Sequence, residues 1–460
     1  LLETLTISLA MPIFDLHAHY SFKPANSKNY STRRLPDPDH WSERFKKKDE
    51  YKDLVNILDK TVVKSSQLHG NAATKGAYKI ICNGLYPLER GFVINSLKGV
   101  VSMLTGYSRD VLKELKSKER SYFFLLENEY LNLLQNQNKT LSEEGNRYRL
   151  IDSFEEILKH SGQGNKDLLI LNSIEGIHCL AEDVFDKNGK PENILKAEEK
   201  FRLKPGTRNG NTVFEEYIDN ISKGIERIKF EWKHTPFFVT FAHHYYSHIS
   251  GHAPSISGFV SVIASQKGSI TLSRTQDQII SQEYFQIGIH KWGYKLLRDL
   301  LARRIDGKGN CRRILIDIKH MSPKARLEYY QFLRQYCVER DDQIPIVCSH
   351  AGVSGRREIA KGVNDFKLQR GEKKSSQYFY NGVINLFDDE IKEIIDSDGI
   401  IGLMVDERRM IGDKIPPEAN MSNKQFADFT RQNSKCLNHM NKLKQKKEWE
   451  RSVQFEKRRN

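Results

Sequence analysis

The chain has 460 residues, and its 73 lysine and arginine residues against 59 aspartate and glutamate residues give a formal net charge of +14. No apolar run in the sequence approaches the ~20 residues of a membrane-spanning helix, and no internal repeat is present, so integral membrane and repeat proteins are excluded. Half of the charge excess lies in residues 431–460, where ten lysine and arginine residues face three glutamates.

Short apolar runs recur along the chain and predict strands that are buried on both faces, as in a parallel sheet. Long polar or helical stretches separate them, so we expect an α/β fold with crossover helices. The arrangement predicts a TIM-like (β/α)8 barrel that lacks its eighth strand. The seven predicted strands are residues 13–19, 78–85, 168–175, 237–243, 314–320, 345–350 and 400–405.

Four of these runs end in side chains that bind divalent metals. Because parallel barrel strands place their carboxyl ends at one mouth, these side chains are expected to meet. In the His-x-His of the first run both rings point to the same face, since side chains alternate along a strand. Imidazole and carboxylate donors with an open position for water suit a hydrolytic metal. The predicted metal ligands are His17, His19, Glu175, His320 and His350.

The segments that carry these ligands resemble motifs of one known family. They are Asp-Leu-His-Ala-His at 15–19, Ser-Ile-Glu-Gly-Ile-His at 173–178, Asp-Ile-Lys-His-Met-Ser at 317–322 and Pro-Ile-Val-Cys-Ser-His at 345–350. The set resembles the amidohydrolase superfamily and, within it, the membrane dipeptidase (renal dipeptidase) family of metallopeptidases. The resemblance runs from Asp15 to about Asp406.

The resemblance implies two divalent metal ions, zinc by expectation, bridged by the catalytic Glu175. It implies that His243 is both catalytic and substrate-binding. His244 and His178 are further candidate substrate contacts. The alternative for His244 is a hydrogen-bonded loop residue, and the alternative for His178 is a residue that steadies the Glu175 carboxylate. Asp15 and Asp317 are expected to orient ligands through hydrogen bonds rather than to bind metal.

By the same resemblance, a hydroxide shared by the metals attacks a peptide or small amide carbonyl, and His243 with a metal stabilises the oxyanion. The expected activity is that of a dipeptidase-like metallohydrolase acting in proteolysis on a small peptide or amide. One alternative is another amidohydrolase reaction at this site, either cyclic amide hydrolysis or deamination. The other is a truncated, non-catalytic protein that only binds metal.

Three departures from the family pattern bear on these alternatives. His19 stands where the family commonly has aspartate, and Ile384 precedes Asn385 where the family has an arginine for the dipeptide carboxylate. No Gly-x-Asp-x-Asp-Gly segment follows the run at 400–405. We therefore expect a C-terminally truncated member of the family, with its dipeptide specificity open.

The remaining predictions concern organisation and location. Residues 1–10, which precede the first methionine, are expected to be upstream or fragment residues. The barrel is expected to span residues 11–443, with helical insertions at about 90–165 and 182–232. Residues 444–460 are expected to form a basic tail. We expect this basic tail to be solvated. We expect no specific nucleic-acid partner, because no nucleic-acid-binding motif accompanies the tail. Six dispersed cysteines without a Cys-x-x-Cys pair favour free thiols and a cytoplasmic location. The sequence does not indicate an oligomeric state.

Overall fold

The computed structural model describes residues 13–21, 68, 70–90, 112–113, 121–137, 147–160, 167–183, 208–244, 246–253, 255, 287–364, 379–380 and 382–404. The predictions for residues 1–10 and for the basic tail at 444–460 lie outside these residues. The expected helical insertions at 90–165 and 182–232 are described only in part.

Ten strands form in the described part of the chain. All seven predicted strands are among them, with ends that differ by up to three residues. The strands are β1 (Ile13–Ala18), β2 (Tyr78–Leu85), β3 (Tyr148–Leu150), β4 (Leu168–Glu175), β5 (Phe238–Thr240), β6 (Arg304–Ile305), β7 (Gly309–Asn310), β8 (Leu315–Asp317), β9 (Val347–Ala351) and β10 (Ile400–Leu403).

One parallel sheet contains eight of the ten strands. Seven follow one another in space in the order β1-β2-β4-β5-β8-β9-β10, which is also their order along the chain. Strand β3 pairs in parallel with the first half of β4, and β5 pairs with its end. Strands β6 and β7 form a separate antiparallel hairpin. Such one-way progression with parallel pairing is the topology of an α/β barrel.

The two ends of this path come back together. A Cβ atom built on Gly402 in β10 would lie 3.2 Å from the Cβ atom of Leu16 in β1. The rings of His17 and His350, from β1 and β9, stack with their centroids 4.0 Å apart. Within the described residues no strand lies between β10 and β1, so seven strands make a nearly closed, TIM-like barrel.

Eight helices flank the strands in the described residues. The expected helix around residues 212–232 is confirmed, and its apolar face lies in the core. The helices are α1 (Gly70–Lys75), α2 (Tyr122–Asn136), α3 (Phe154–His160), α4 (Arg208–Phe230), α5 (Lys291–Leu301), α6 (Pro323–Arg340), α7 (Ile359–Asn364) and α8 (Asp388–Asp396), and a 3-10 turn spans Ile177–Leu180.

Successive side chains of β4 point alternately into two layers of the core. All eight of its residues are buried, as expected for a strand with the barrel interior on one side and helices on the other. Leu168 and Ile170 belong to the large cluster that includes the apolar faces of α2 and α4. Leu169 and Leu171 belong to the inner cluster with residues of β1, β2, β5 and β9. Glu175 shares the parity of this inner pair and therefore faces the barrel mouth.

Two further findings concern the helices and the cysteines. Among the described helices, none combines the length and the apolar character needed to cross a lipid bilayer. The cysteines in the described residues are free thiols, as the sequence predicts; they are Cys82, Cys179, Cys311, Cys337 and Cys348.

Candidate metal centre

The carboxyl ends of five barrel strands meet at one mouth, and each supplies histidine or glutamate. The side chains come from positions that are far apart in the sequence, so only the barrel topology brings them together. Every residue predicted as a metal ligand lies here, together with the predicted catalytic histidine. They are His17 and His19 at the end of β1, Glu175 at the end of β4, His243 after β5, His320 after β8 and His350 in β9.

The carboxylate of Glu175 lies at the centre of this group and is 3% exposed. Its Oε1 atom is 3.3 Å from His17 Nε2 and 3.1 Å from His243 Nε2. The same oxygen is 3.9 Å from His320 Nε2, and Oε2 is 3.0 Å from His19 Nε2. One carboxylate is therefore surrounded by four imidazoles.

The donor atoms fall into overlapping groups in which each atom lies within 4.8 Å of the others. Two groups share only Glu175, so its carboxylate is the one member common to both. A third group contains the histidines beside β5. The groups are His17, His19 and Glu175; Glu175, His320 and His350; and His243, His244 and His320.

Strand β2 orients the first pair of histidines. The carbonyl oxygen of Gly84 lies 2.9 Å from His19 Nδ1 and accepts a hydrogen bond from it, so Nε2 turns toward Glu175. A Cβ atom at Gly84 would lie 3.3 Å from His19 Cε1 and 3.4 Å from His17 Cε1. Glycine at this position therefore leaves room for both rings.

A hydrogen-bonded chain fixes the tautomer of His350. The Ser349 hydroxyl donates to Asp317 Oδ2 at 2.7 Å, and its oxygen lies 2.8 Å from His350 Nδ1. Since the hydroxyl proton is used on Asp317, Ser349 accepts from His350 Nδ1, and Nε2 keeps its lone pair. His350 Nε2 lies 3.2 Å from His320 Nε2, so two ring nitrogens face one another across the mouth.

The two aspartates expected to support the ligands do so differently. Asp317 is fully buried and accepts from the backbone N–H groups of Lys319 at 3.0 Å and Ser349 at 2.9 Å, and from Thr240 Oγ1 at 2.7 Å. Asp15 accepts from the backbone N–H of His17 at 3.1 Å. Neither side chain belongs to the donor groups among the described residues.

His320 has a strained backbone. Its φ angle is +67°, in the left-handed region that costs a non-glycine residue about 1–3 kcal/mol. Helix α6 begins immediately afterwards, with Ser322 Oγ accepting from Ala325 N at 3.1 Å. The tight turn between β8 and α6 therefore directs the His320 ring into the mouth, and such strain is concentrated at functional sites.

The electrostatics favour the ionised form of Glu175 and the neutral forms of His320 and His350. At His19, by contrast, burial lowers the pKa but Glu175 raises it above its usual value. Burial disfavours the charged form of Glu175, but His243, His17 and His19 outweigh it and hold its pKa well below the usual range. Burial, reinforced by neighbouring imidazoles, lowers the pKa of His320 and of His350 well below normal. An ionised carboxylate beside neutral imidazoles is the ligand set of a divalent transition metal.

His243 lies between two carboxylates. Its Nε2 faces Glu175, and its Nδ1 is 3.2 Å from Glu89 Oε1. Burial alone would lower its pKa, but Glu175 and Glu89 raise it to about 10. The Tyr86 hydroxyl donates to Glu89 Oε2 at 2.8 Å, and the Tyr86 ring packs edge-on against His243 with centroids 4.8 Å apart.

The other two predicted substrate contacts lie beside His243. His178 is 7% exposed, and burial lowers its pKa to about 4. It follows Gly176, whose φ of +102° and close contact with the His178 ring require glycine. His244 Nδ1 is 2.6 Å from Ser255 Oγ, and its ring centroid is 3.8 Å from that of His243.

Residues near the expected position of the dipeptide-binding arginine do not replace it. Ile384 is 3% exposed, and its carbonyl oxygen accepts from Lys319 Nζ at 3.3 Å. The carbonyl oxygens of Arg356 and Arg357 accept from Asp388 N at 2.9 Å and Asp389 N at 3.0 Å, which ties their loop to the start of α8. No contact between either guanidinium and the histidine cluster is present among the described residues.

Sequence reasoning missed three residues at this mouth: Tyr86, Glu89 and Ser349. Glu89 lies four residues beyond β2, a strand that the sequence predicts correctly. The same rule that located the histidines, that carboxyl ends of barrel strands converge, could have found it. Ser349 gave no signal of its own, because its role depends on contact with Asp317 from the neighbouring strand.

Comparisons with known proteins show a distant likeness in fold. No family model matches the chain, and no curated protein has a significantly similar sequence. Among solved structures, the chain is similar to a crystal structure of a dipeptidase described as a metallopeptidase of family M19. The similarity covers 85% of this chain and 71% of that one, with 10% identity and a TM-score of 0.36. A likeness at this level carries no functional argument, so function must be argued from the site.

Proposed function

We propose that this chain is a metallohydrolase that cleaves a peptide or small amide bond, in the manner of a dipeptidase. The observation that carries the proposal is the position of Glu175. Its carboxylate lies between the histidine pair of β1 and the pair from β8 and β9, and it is the member common to both donor groups. A carboxylate shared by two histidine pairs is the arrangement expected of a two-metal hydrolytic centre.

The donor set fits two divalent ions, and we propose zinc. His17 and His19 would hold one ion and His320 and His350 the other, with Glu175 common to both. Nitrogen-rich sites with one carboxylate suit zinc better than the oxygen-binding ions magnesium and calcium. When bound, the ions would polarise a substrate carbonyl and lower the pKa of a water molecule toward neutrality.

The chain's own groups complete the chemistry. His243 directs Nε2 toward the centre, so it can donate a hydrogen bond to the carbonyl oxygen as negative charge develops there. Ser349 and Gly84 hold two of the ligand rings in fixed tautomers, which preorganises the site. His178 and His244 flank His243 and remain our candidates for contacts with the rest of the substrate.

One observation favours an alternative within the same chemistry. The position of the family arginine is occupied by the buried Ile384, so a free substrate carboxylate is not recognised from there. Cyclic amides have no such carboxylate, and their hydrolysis is therefore the second candidate. The free thiols are compatible with a cytoplasmic location, which we include in the proposal.

The test combines metal analysis with a substrate panel. The purified chain is loaded with zinc, desalted and analysed for bound metal, then assayed on free dipeptides, C-terminally amidated dipeptides and cyclic amides. We expect about two equivalents of metal and turnover that a chelator abolishes and zinc restores. Glu175→Gln should bind less than about one equivalent and lose turnover, because the shared anionic ligand is gone.

A matched control separates the site from general effects of the substitution. Glu216→Gln makes the same change on the exposed surface of α4 and should keep metal and turnover. A folded chain that binds no metal would refute the metal centre. Full metal binding without turnover on any substrate would refute the hydrolase and leave the metal-binding alternative.

A further inference from the structure

A buried carboxylate stands behind the predicted catalytic histidine and belongs to none of the donor groups. Glu89 follows β2 and is 2% exposed. Its Oε1 atom accepts from His243 Nδ1 at 3.2 Å, and its Oε2 atom accepts from the Tyr86 hydroxyl at 2.8 Å. His178 Nε2 lies 4.0 Å from the same Oε1 atom. The carboxylate thus contacts three side chains of the mouth.

The arginine next to Glu89 in the sequence forms its ion pair with a different carboxylate. Arg90 follows Glu89 directly, but its guanidinium forms a bidentate pair with Asp183 at 2.7 and 2.6 Å. The Arg90 guanidinium also lies over the ring of Tyr122, 4.4 Å from its centroid. Burial would raise the pKa of Glu89, but His243 above all lowers it to about 2, so the carboxylate is ionised and acts only as an acceptor.

The geometry shows what this acceptor does to His243. Rotation about the bond to an imidazole ring has broad minima, so a histidine on a loop needs a partner to fix its ring. Here the Nδ1 partner is Glu89, the Tyr86 ring packs on one side, and Nε2 points at Glu175 from 3.1 Å. A ring released from Glu89 could rotate its donor away from the centre.

We propose that Glu89 is a positioning residue that holds His243 with Nε2 directed at the Glu175 carboxylate, beside which the reacting carbonyl oxygen would bind. This inference rests on the proposed function for its catalytic consequence. Tyr86 supports it by fixing the second oxygen of the carboxylate. Glu89 itself does not touch the reacting atoms.

The test is a graded set of variants in the zinc-loaded full chain. Tyr86→Phe removes one hydrogen bond to the carboxylate, Glu89→Gln keeps the shape but not the charge, and Glu89→Ala removes the acceptor. We expect kcat to fall in that order, by about 10- to 100-fold for Glu89→Ala, the range typical of residues that orient others. Metal content should change by less than about twofold, since no proposed metal ligand is altered.

The matched control is Glu129→Gln. Glu129 is also a buried glutamate near this mouth, where it accepts from Ser21 Oγ at 2.6 Å and Tyr86 N at 2.9 Å, but it does not contact His243 among the described residues. It should keep kcat within about twofold of wild type. Glu89→Ala that folds, binds metal and keeps wild-type kcat would overturn the proposal.

A second readout needs no turnover and so separates this inference from the proposed function. Protein labelled with ¹⁵N-histidine should show a downfield imidazole N–H resonance, assigned to His243 by its loss in His243→Gln. We expect the resonance to disappear in Glu89→Ala and to persist in Glu129→Gln. Its persistence in Glu89→Ala would overturn the positioning role even if the wild type hydrolyses nothing.

Discussion

Ser349 determines which nitrogen of His350 faces the metal centre. Its hydroxyl is committed to Asp317, so its oxygen can only accept, and His350 must carry its proton on Nδ1. Because Nε2 is then unprotonated, the ring is ready to bind an ion without first losing a proton. Ser349, which is not itself a proposed ligand, therefore sets the tautomer of the proposed ligand His350.

Replacing Ser349 by alanine tests this dependence. Ser349→Ala leaves His350 free to change tautomer, so we expect zinc affinity to fall by about 10- to 100-fold. The measurement is competition with a chromophoric zinc chelator. Ser354→Ala is the control, because this serine is also buried but its oxygen accepts only from Arg356 N, at 3.3 Å, in the described contacts. Equal affinities in the two variants would contradict the tautomer argument.

The convergence of the proposed metal ligands could be predicted from sequence because each follows an apolar run at a fixed place in the barrel. His17, Glu175 and His350 each occur at or just beyond the last residues of a predicted strand. Glu89 and Ser349 could not be predicted in the same way, since their roles are defined by partners on other strands. Nothing in the sequence near Ser349 signals that Asp317 will lie beside it.

At the scale of elements, helices α6 and α8 are joined by two ion pairs of different character. Inside, Arg326 Nε is 3.1 Å from Glu390 Oε1, and both residues are 1% exposed. Glu390 also accepts from the Tyr330 hydroxyl at 2.7 Å. Outside, Arg334 pairs with Glu393, with 57% and 30% of their side chains exposed. The same chemical pair thus occurs in two dielectric environments on one helix interface.

Removing the acidic partner of each ion pair should lower the free energy of unfolding by very different amounts. Glu390→Gln leaves the buried Arg326 charge uncompensated and should lower the free energy of unfolding by about 3–5 kcal/mol. Glu393→Gln breaks a solvated pair and should cost less than about 1 kcal/mol. Urea unfolding followed by circular dichroism measures both. Similar losses for the two variants would show that burial does not determine the strength of this contact.

The main strands were predictable, and the exceptions have a physical reason. Runs such as Leu168–Glu175 are long enough to show buried apolar character, and they set the order of the barrel. Strand β3 has three residues, and β6 and β7 have two each, which is too short for any period to appear. Pairing of β3 with β4 is decided by tertiary packing, which a single-sequence pattern does not contain.

At the scale of the whole molecule, the proposed metal centre connects strands from both ends of the barrel path. Its ligands come from β1, β4, β8 and β9, so the site exists only when the barrel is assembled. An ion that binds this folded site and not the unfolded chain must stabilise the fold. For one site with the free ion at about 100 times its Kd, the gain is about 2.7 kcal/mol.

Thermal unfolding should therefore depend on metal. We expect zinc to raise the Tm of the chelator-treated protein and renewed chelation to reverse the rise. Glu175→Gln should lose most of this shift, because its shared anionic ligand is absent, whereas Glu216→Gln should keep it. A zinc-induced shift of the same size in Glu175→Gln would place the stabilising ion elsewhere.

The order of the strands along the chain also determines when each proposed ligand is synthesised. More than 300 residues separate His17 from His350, so at ~5–20 residues per second the ribosome releases the last ligand roughly 20–60 seconds after the first. Throughout that interval the early imidazoles lack the partners that would make them selective for one ion. We therefore expect selective metal binding only after β9 has been synthesised. The complete set of ligands can then discriminate between ions, which the partial set on a growing chain cannot do.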